Sequence, residues 1–320
     1  MSHFVVTGGC GFLGSWVIRK LLNDAHTVTV LDLERTTKRW EMALSVEQIE
    51  RVAFRPIHID NPDEVLAAFK ALTPDAVIHL AGLQVPTCRA NPLAGARVNV
   101  LGTLAVFEAA GAMANKPPIA YASSAAVFGS DADYDNQSIS DQTQPKPGTH
   151  YGAFKLCTEH CARAYFLDRQ ILSVGLRPLT VYGPGRDVGM TSFPTRAIAA
   201  ALLGKTFDIP FSGPTTYTYA EECADLFVAA ALHPVPNAPS FTVGGDVIDT
   251  KQFVAELDRV VPGAAKLITI SGGNLPIASN LDDSEMRKVY SSVRRVGVAD
   301  GIRRTVEVFK SLAAKGRLEV

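Results

Sequence analysis

Thr7-Gly8-Gly9-Cys10-Gly11-Phe12-Leu13-Gly14 is the stretch on which the reading of the fold turns. It follows the apolar run His3–Thr7 and opens a helical pattern over Gly11–Asn23. In a strand–turn–helix of this kind, one glycine permits the tight turn. A second lets the backbone approach a pyrophosphate, and a third lets the helix pack against the sheet. The free N–H groups at the helix start then bind the phosphates. Gly8, Gly11 and Gly14, with Phe12 and Leu13 between them, are therefore expected at the cofactor. Asp32 ends the next apolar run, 18 residues after Gly14, where an acidic side chain takes both ribose hydroxyls. A carboxylate there repels a 2′-phosphate, so NAD is expected over NADP. Arg35, Lys38 and Arg39 follow closely and pull the other way.

Beyond this loop the first half of the chain keeps a regular rhythm. Strand patterns at His3–Thr7, Thr27–Asp32, Ala53–His58, Ala76–Leu80, Pro118–Ala122 and Leu172–Leu176 alternate with helical ones. The helices are expected at Gly11–Asn23, Pro62–Leu72, Leu93–Ala114 and Tyr151–Arg169. Such alternation predicts βαβ units, hence an α/β fold with a Rossmann-type doubly wound parallel sheet. After Arg177 the rhythm breaks into a Gly- and Pro-rich stretch, then a mixture of short strands and helices. The expected organisation is a cofactor domain over residues 1–176. A smaller α/β lobe over 177–320 would mainly bind substrate, with segments exchanged between the two.

Composition narrows the function classes. The 320 residues carry 31 Lys and Arg against 32 Asp and Glu, a formal charge of -1, which argues against a nucleic-acid partner. With 47% hydrophobic and 20% charged residues the chain is not a disordered one. Five unevenly spaced cysteines argue against a disulfide scaffold and for a reducing compartment. No apolar run approaches the roughly 18 residues of a membrane span, and no signal-peptide pattern opens the chain. A cytoplasmic protein without membrane or metal is expected. Cys10 reads as a small loop filler, and Cys157 and Cys161, one helical turn apart, as buried side chains rather than metal ligands.

Two further patterns carry chemistry. Tyr151 and Lys155 are four apart, on one face of a helix. A phenol with a pKa near 10 is a poor base at neutral pH, and a neighbouring ammonium favours its ionised form. Ser123 and Ser124 follow the apolar strand that ends at Ala122, where open parallel sheets bind their ligands. Ser124 there is placed to contact a reacting hydroxyl and to share its proton with Tyr151. Capping of the turn is the plainer role for the same serines. His79 reads as structural beside the cleft, and His150 as a substrate contact at most.

Taken in order, these motifs resemble an extended short-chain dehydrogenase/reductase of the NAD-dependent epimerase/dehydratase family. The resemblance runs through Thr7–Gly14, Asp32, His79-Leu80-Ala81-Gly82 and Asn99-Val100-Leu101-Gly102-Thr103. It continues through Ser123-Ser124, Tyr151-Gly152-Ala153-Phe154-Lys155, Arg177-Pro178 and Val181-Tyr182-Gly183-Pro184-Gly185-Arg186. It implies Tyr151 as acid/base, Lys155 as its electrostatic partner and Ser124 at the substrate hydroxyl. Leu80, Ala81 and Gly82 would line the cofactor cleft, Asn99 support it, His58 and Ile59 meet adenine, and Pro178 the nicotinamide amide. Gln84, Ser124, Ala125, Tyr151 and Arg186 would contact substrate. A homodimer is implied through the helices at Leu93–Ala114 and Tyr151–Arg169, whose apolar faces equally suit packing on the sheet.

The second lobe departs from the pattern. Relatives that bind nucleotide sugars carry an arginine that grips the diphosphate. Here the matching segment, Phe211–Ala224, has none, leaving Arg186 and Arg196 as anion contacts. A smaller hydroxylated substrate, such as a sugar or sugar acid, is expected, with NAD-dependent oxidation of one hydroxyl. The alternatives are an NDP-sugar 4-epimerase and a non-catalytic NAD-binding scaffold. Ala125-Ala126 stand where family dehydratases carry an Asp-Glu pair, which disfavours elimination.

Overall fold

The computed structural model describes all 320 residues. Its main sheet has seven strands: β1 (His3–Thr7), β2 (Thr27–Asp32), β3 (Ala53–Pro56), β4 (Ala76–His79), β5 (Ile119–Ala122), β6 (Ser173–Arg177) and β10 (Ser240–Thr242). Every pairing is parallel, in the spatial order β10-β6-β5-β4-β1-β2-β3. The doubly wound sheet expected from the sequence is present. The winding reverses at β1, which pairs with β2 on one side and β4 on the other. A reversal of this kind opens a crevice at the carboxyl ends of the strands.

Both faces of the sheet are covered, so its strands read as apolar runs rather than alternating ones. Phe4, Val6, Ile78 and Ala120 point to one face, beneath helices Phe12–Asn23 and Ala220–Leu232. Val5, Val77, Ile119 and Tyr121 point to the other, beneath Pro62–Leu72, Gly102–Gly111 and His150–Arg169. One covering helix and the strand β10 come from beyond residue 177, so the sheet is completed by chain that returns from the second region.

That region holds two small sheets. In one, β9 (Pro214–Tyr219) lies between β7 (Thr180–Tyr182), parallel to it, and β11 (Asp246–Asp249), antiparallel. In the other, β8 (Phe207–Ile209) pairs with β12 (Ile268–Ile270). Helices Phe193–Leu202, Thr250–Val260 and Val298–Ala314 enclose them, and one apolar core runs unbroken from Phe4 to Leu312.

Two expectations need correction. The helix Pro92–Gly111 is, by length and composition, apolar enough to cross a membrane, although the residues read as having no such run. Half of that window is buried, because the helix packs on Pro62–Leu72 and the sheet. Cys157 is exposed and Cys161 partly so, because both lie on the outer side of the helix that buries Lys155, Thr158 and Glu159.

Candidate active site

The phosphate loop is shaped by what glycine leaves out. Gly8 has φ +68°, and a Cβ there would stand 2.6 Å from Ala81 N. At Gly14 a Cβ would stand 2.6 Å from Gly9 Cα, so helix and turn touch backbone to backbone. Gly11 caps the helix Phe12–Asn23 without any side-chain hydrogen bond, which leaves the first-turn N–H groups to a ligand. A cradle that a single methyl group would fill, with unpaired donors at its mouth, fits a pyrophosphate.

Asp32 is held rigidly at the rim of this cradle. Its Oδ2 accepts from Cys10 N at 3.0 Å and its Oδ1 from Leu33 N at 2.9 Å. The three cations that follow it are engaged elsewhere. Arg35 lies 5.6 Å over the Trp40 ring, Lys38 pairs with Glu319 at 2.7 Å, and Arg39 with Asp187 at 2.8 Å. The sequence could not show that these charges were spoken for. Their engagement leaves the Asp32 carboxylate as the unopposed charge at this rim.

A cavity of about 700 Å3 runs from this rim to the ends of β4 and β5. Gly8, Gly11, Phe12, Leu13, Gly14 and Asp32 form one end of its wall. His58, Ile59, Leu80, Ala81 and Gly82 continue it, and Pro178 stands at the far end. Gln84, Ser124, Tyr151, Lys155 and Arg186 also face the cavity. Residues from eight separate stretches of sequence thus meet at one crevice.

Four of the expected residues do not line it. Asn99 is fully buried behind the wall, in a π-helical turn spanning Arg97–Leu101. Its Oδ1 accepts from Leu83 N at 2.9 Å and its Nδ2 donates to Leu83 O at 3.0 Å, so it shapes the Leu80–Leu83 turn from behind. Ala125 is buried in a small cluster with Phe128 and Leu281, because the turn after β5 swings its methyl group inward. Ala126 lines the cavity instead. His150 is exposed and Arg196 lies off the wall, its guanidinium over the rings of Phe193 and Phe207. The wall also includes Met190, Thr191 and Ile277, which the motifs did not single out. Ile277 arrives from the far end of the chain with no local signal.

Burial sets the state of the polar groups at this end of the cavity. Lys155 Nζ donates to Ala122 O at 2.6 Å and lies 5.7 Å from the centre of the Tyr151 ring. Burial pulls the Lys155 pKa down to about 8. Burial pushes the Tyr151 phenol up, opposed by the Ser124 hydroxyl and by the charge on Arg186. Ser124 Oγ accepts from Ala126 N at 3.1 Å, so it caps the turn and still has its own proton to donate. Ser123 is fully committed: it donates to Glu159 Oε1 at 2.5 Å, beside the buried pair of Glu159 with Arg177. His79 is also structural, between Thr7 Oγ1 and Thr103 Oγ1, and burial lowers its pKa to about 3.

The family model described as "NAD dependent epimerase/dehydratase family" matches residues 4–244. The chain belongs to the NAD dependent epimerase/dehydratase family. It is therefore an enzyme, its cofactor is NAD, and the scaffold reading falls away. The UDP-glucose 4-epimerase of Mycolicibacterium smegmatis is 29% identical over 318 residues, covering 96% of this chain and 98% of that one. Among solved structures, a UDP-N-acetylglucosamine 4-epimerase from Methanobrevibacter ruminantium superposes with TM-score 0.83 at 24% identity, covering 97% and 98%. An L-threonine dehydrogenase from Clostridium difficile superposes with TM-score 0.82 at 19% identity, covering 99% of each chain. Likeness at that level of identity establishes the shared fold.

Proposed function

We propose that this enzyme oxidises one hydroxyl of a small polyhydroxylated molecule, a sugar, sugar acid or similar compound, with net formation of NADH. The observation that carries the reading is the state of β9. Thr215 to Tyr219 are all buried, with Tyr217 and Tyr219 packed against Tyr182, and none faces the cavity. The segment that would supply a diphosphate-gripping cation thus has neither the residue nor the exposure. Of the three cations along the cavity, Arg39 is paired with Asp187 and Lys155 serves Tyr151. Arg186 alone is left for substrate. A diphosphate without paired cations loses the charge-assisted hydrogen bonds that hold it.

The chemistry NAD supplies is acceptance of the hydride from the carbinol carbon. The chain performs the rest. Tyr151 takes the hydroxyl proton as the carbonyl forms, and Ser124 holds the same oxygen. Lys155, tied to Ala122 O, keeps an ammonium beside the phenol and so favours its ionised form. The division of labour is cofactor on residues 1–176 and substrate mainly on 177–320. Exposed Leu93, Leu101 and Leu167, on the helices Pro92–Gly111 and His150–Arg169, suit a homodimer. Five free cysteines suit a cytoplasmic setting.

One observation favours a second reading. The full-length similarity to a UDP-glucose 4-epimerase supports an NDP-sugar 4-epimerase, in which oxidation is followed by return of the hydride to the other face. Incubation of the enzyme with NAD and either free polyhydroxylated compounds or nucleotide sugars separates the two. Steady NADH from a free compound supports the first. Epimer from a nucleotide sugar without NADH would establish the second.

A further inference from the structure

Arg186 enters the cavity from the segment Gly183–Thr191, which follows β7 across the crevice. Its Nη2 donates to Thr191 Oγ1 at 2.9 Å, and its guanidinium carbon lies 5.6 Å over the Phe12 ring. Its Nε is buried with no hydrogen-bond partner. No carboxylate of the chain forms a salt bridge with it, because the adjacent Asp187 is committed to Arg39. A guanidinium stays charged in a protein, so this is a partly buried cation without a carboxylate partner. Such a charge is costly unless something pairs with it.

The wall beside it is closely packed. Gly189 has φ +97°, and a Cβ there would run into Gln84 Oε1 and stand 3.3 Å from Arg186 Nη2. Gln84 and Arg186 thus pack against Gly189, where only glycine leaves room for them, and Thr191 accepts from Arg186. Gln84, Arg186 and Thr191 all face the cavity that also holds Tyr151. Tyr151 feels the Arg186 charge, which works to lower its pKa.

We infer that Arg186 receives a carboxylate of the substrate, with Gln84 and Thr191 around it, so that the enzyme acts on a hydroxy acid such as a sugar acid. The inference rests on the reading above, that a small molecule is oxidised at Tyr151. The planar guanidinium fork matches a carboxylate in two parallel hydrogen bonds. One unpaired cation matches one negative charge. The carboxylate takes no part in the bond changes; it fixes which hydroxyl faces Tyr151.

The test compares gluconate and threonate with the uncharged glucitol and threitol, and with UDP-glucose, in the presence of NAD. Turnover is followed as NADH, and product is analysed in parallel. Calorimetric titration of the same carboxylates into the enzyme–NADH complex gives binding without turnover. The wild type is expected to prefer the carboxylates. Arg186→Gln should weaken them by about 10- to 100-fold, the range of a charge-assisted hydrogen bond. Arg186→Lys should recover part of that loss, and NAD affinity should stay unchanged in both variants. Equal use of carboxylates and alditols, indifferent to Arg186→Gln, would overturn the inference and leave the proposed oxidation standing. So would loss of NAD affinity with carboxylate binding intact, which would assign the guanidinium to the cofactor diphosphate. Failure of every carboxylate to bind or turn over also overturns it. Epimerised UDP-glucose without NADH would defeat the proposed function itself.

Discussion

Lys155 Nζ donates a 2.6 Å hydrogen bond to Ala122 O while standing 5.7 Å from the centre of the Tyr151 ring. One ammonium thus ties the active-site helix to the end of β5 and charges the space beside the phenol. Burial holds its pKa at about 8, below the unfolded value of about 10.4. Between those values the unfolded chain binds more protons, so stability rises with pH across that window. Below about 8 the full desolvation cost is present. Lys155→Met should therefore melt higher than wild type near neutral pH, with the gain shrinking by about 1.4 kcal/mol per pH unit toward pH ~10. Calorimetric melting at several pH values checks this, and a gain constant with pH would refute the buried-ammonium argument.

Under the proposed function, Tyr151→Phe removes the proton acceptor and little else. Turnover should fall by roughly 10²- to 10⁴-fold, the ordinary worth of a positioned acid/base. NAD titration of the variant should match wild type, because the phosphate loop and Asp32 are untouched. Near-normal turnover would strip Tyr151 of its role.

At Gly8 two costs coincide, the left-handed backbone and the approach to Ala81 N. Gly8→Ala should lower stability by about 1–3 kcal/mol, the usual cost of a non-glycine residue in that conformation. NAD affinity should fall as well. Urea unfolding and NAD titration together test both effects.

Asp32→Ala should weaken NAD more than NADP, since it removes a ribose acceptor and a charge that repels the 2′-phosphate. Arg35, Lys38 and Arg39 are engaged by Trp40, Glu319 and Asp187, so no strong gain in NADP affinity is expected. Equal losses for both cofactors in dissociation measurements would contradict the assignment.

Arg177 and Glu159 form a buried bidentate pair at 2.7 Å, with Ser123 donating to the same carboxylate. Glu159→Ala leaves a buried guanidinium alone and should cost about 3–5 kcal/mol. Removing both partners, as Glu159→Met with Arg177→Met, should cost less than the single change. Equilibrium unfolding of the set measures this, and a double variant no better than Glu159→Ala would deny the coupling.

Much of the site was legible because its parts are short and contiguous. Gly8, Gly11 and Gly14 lie within one turn, and Tyr151 and Lys155 are one helical turn apart, so chain geometry alone sets their relation. Asn99 was placed at the cleft by its motif, but a π-helical turn and a reach of 16 residues to Leu83 put it behind the wall. Ala125 and Ala126 exchanged roles because the direction of one turn residue follows from packing around Phe128 and Leu281. The exposure of Cys157 follows from which side of its helix meets the sheet. Nothing local marks Ile277, which reaches the cavity only through the path of the C-terminal region.

By itself, the sequence determined the βαβ rhythm, the parallel sheet, the phosphate loop and the Tyr–Lys pair, since each depends on residues near one another along the chain. Tertiary structure alone decided which charges remain free. Arg39 is neutralised by Asp187, 148 positions away, while Arg186, beside that same aspartate, lines the cavity with no carboxylate partner. Pairing of charges depends on distance in space and on burial, and neither is written in spacing along the chain.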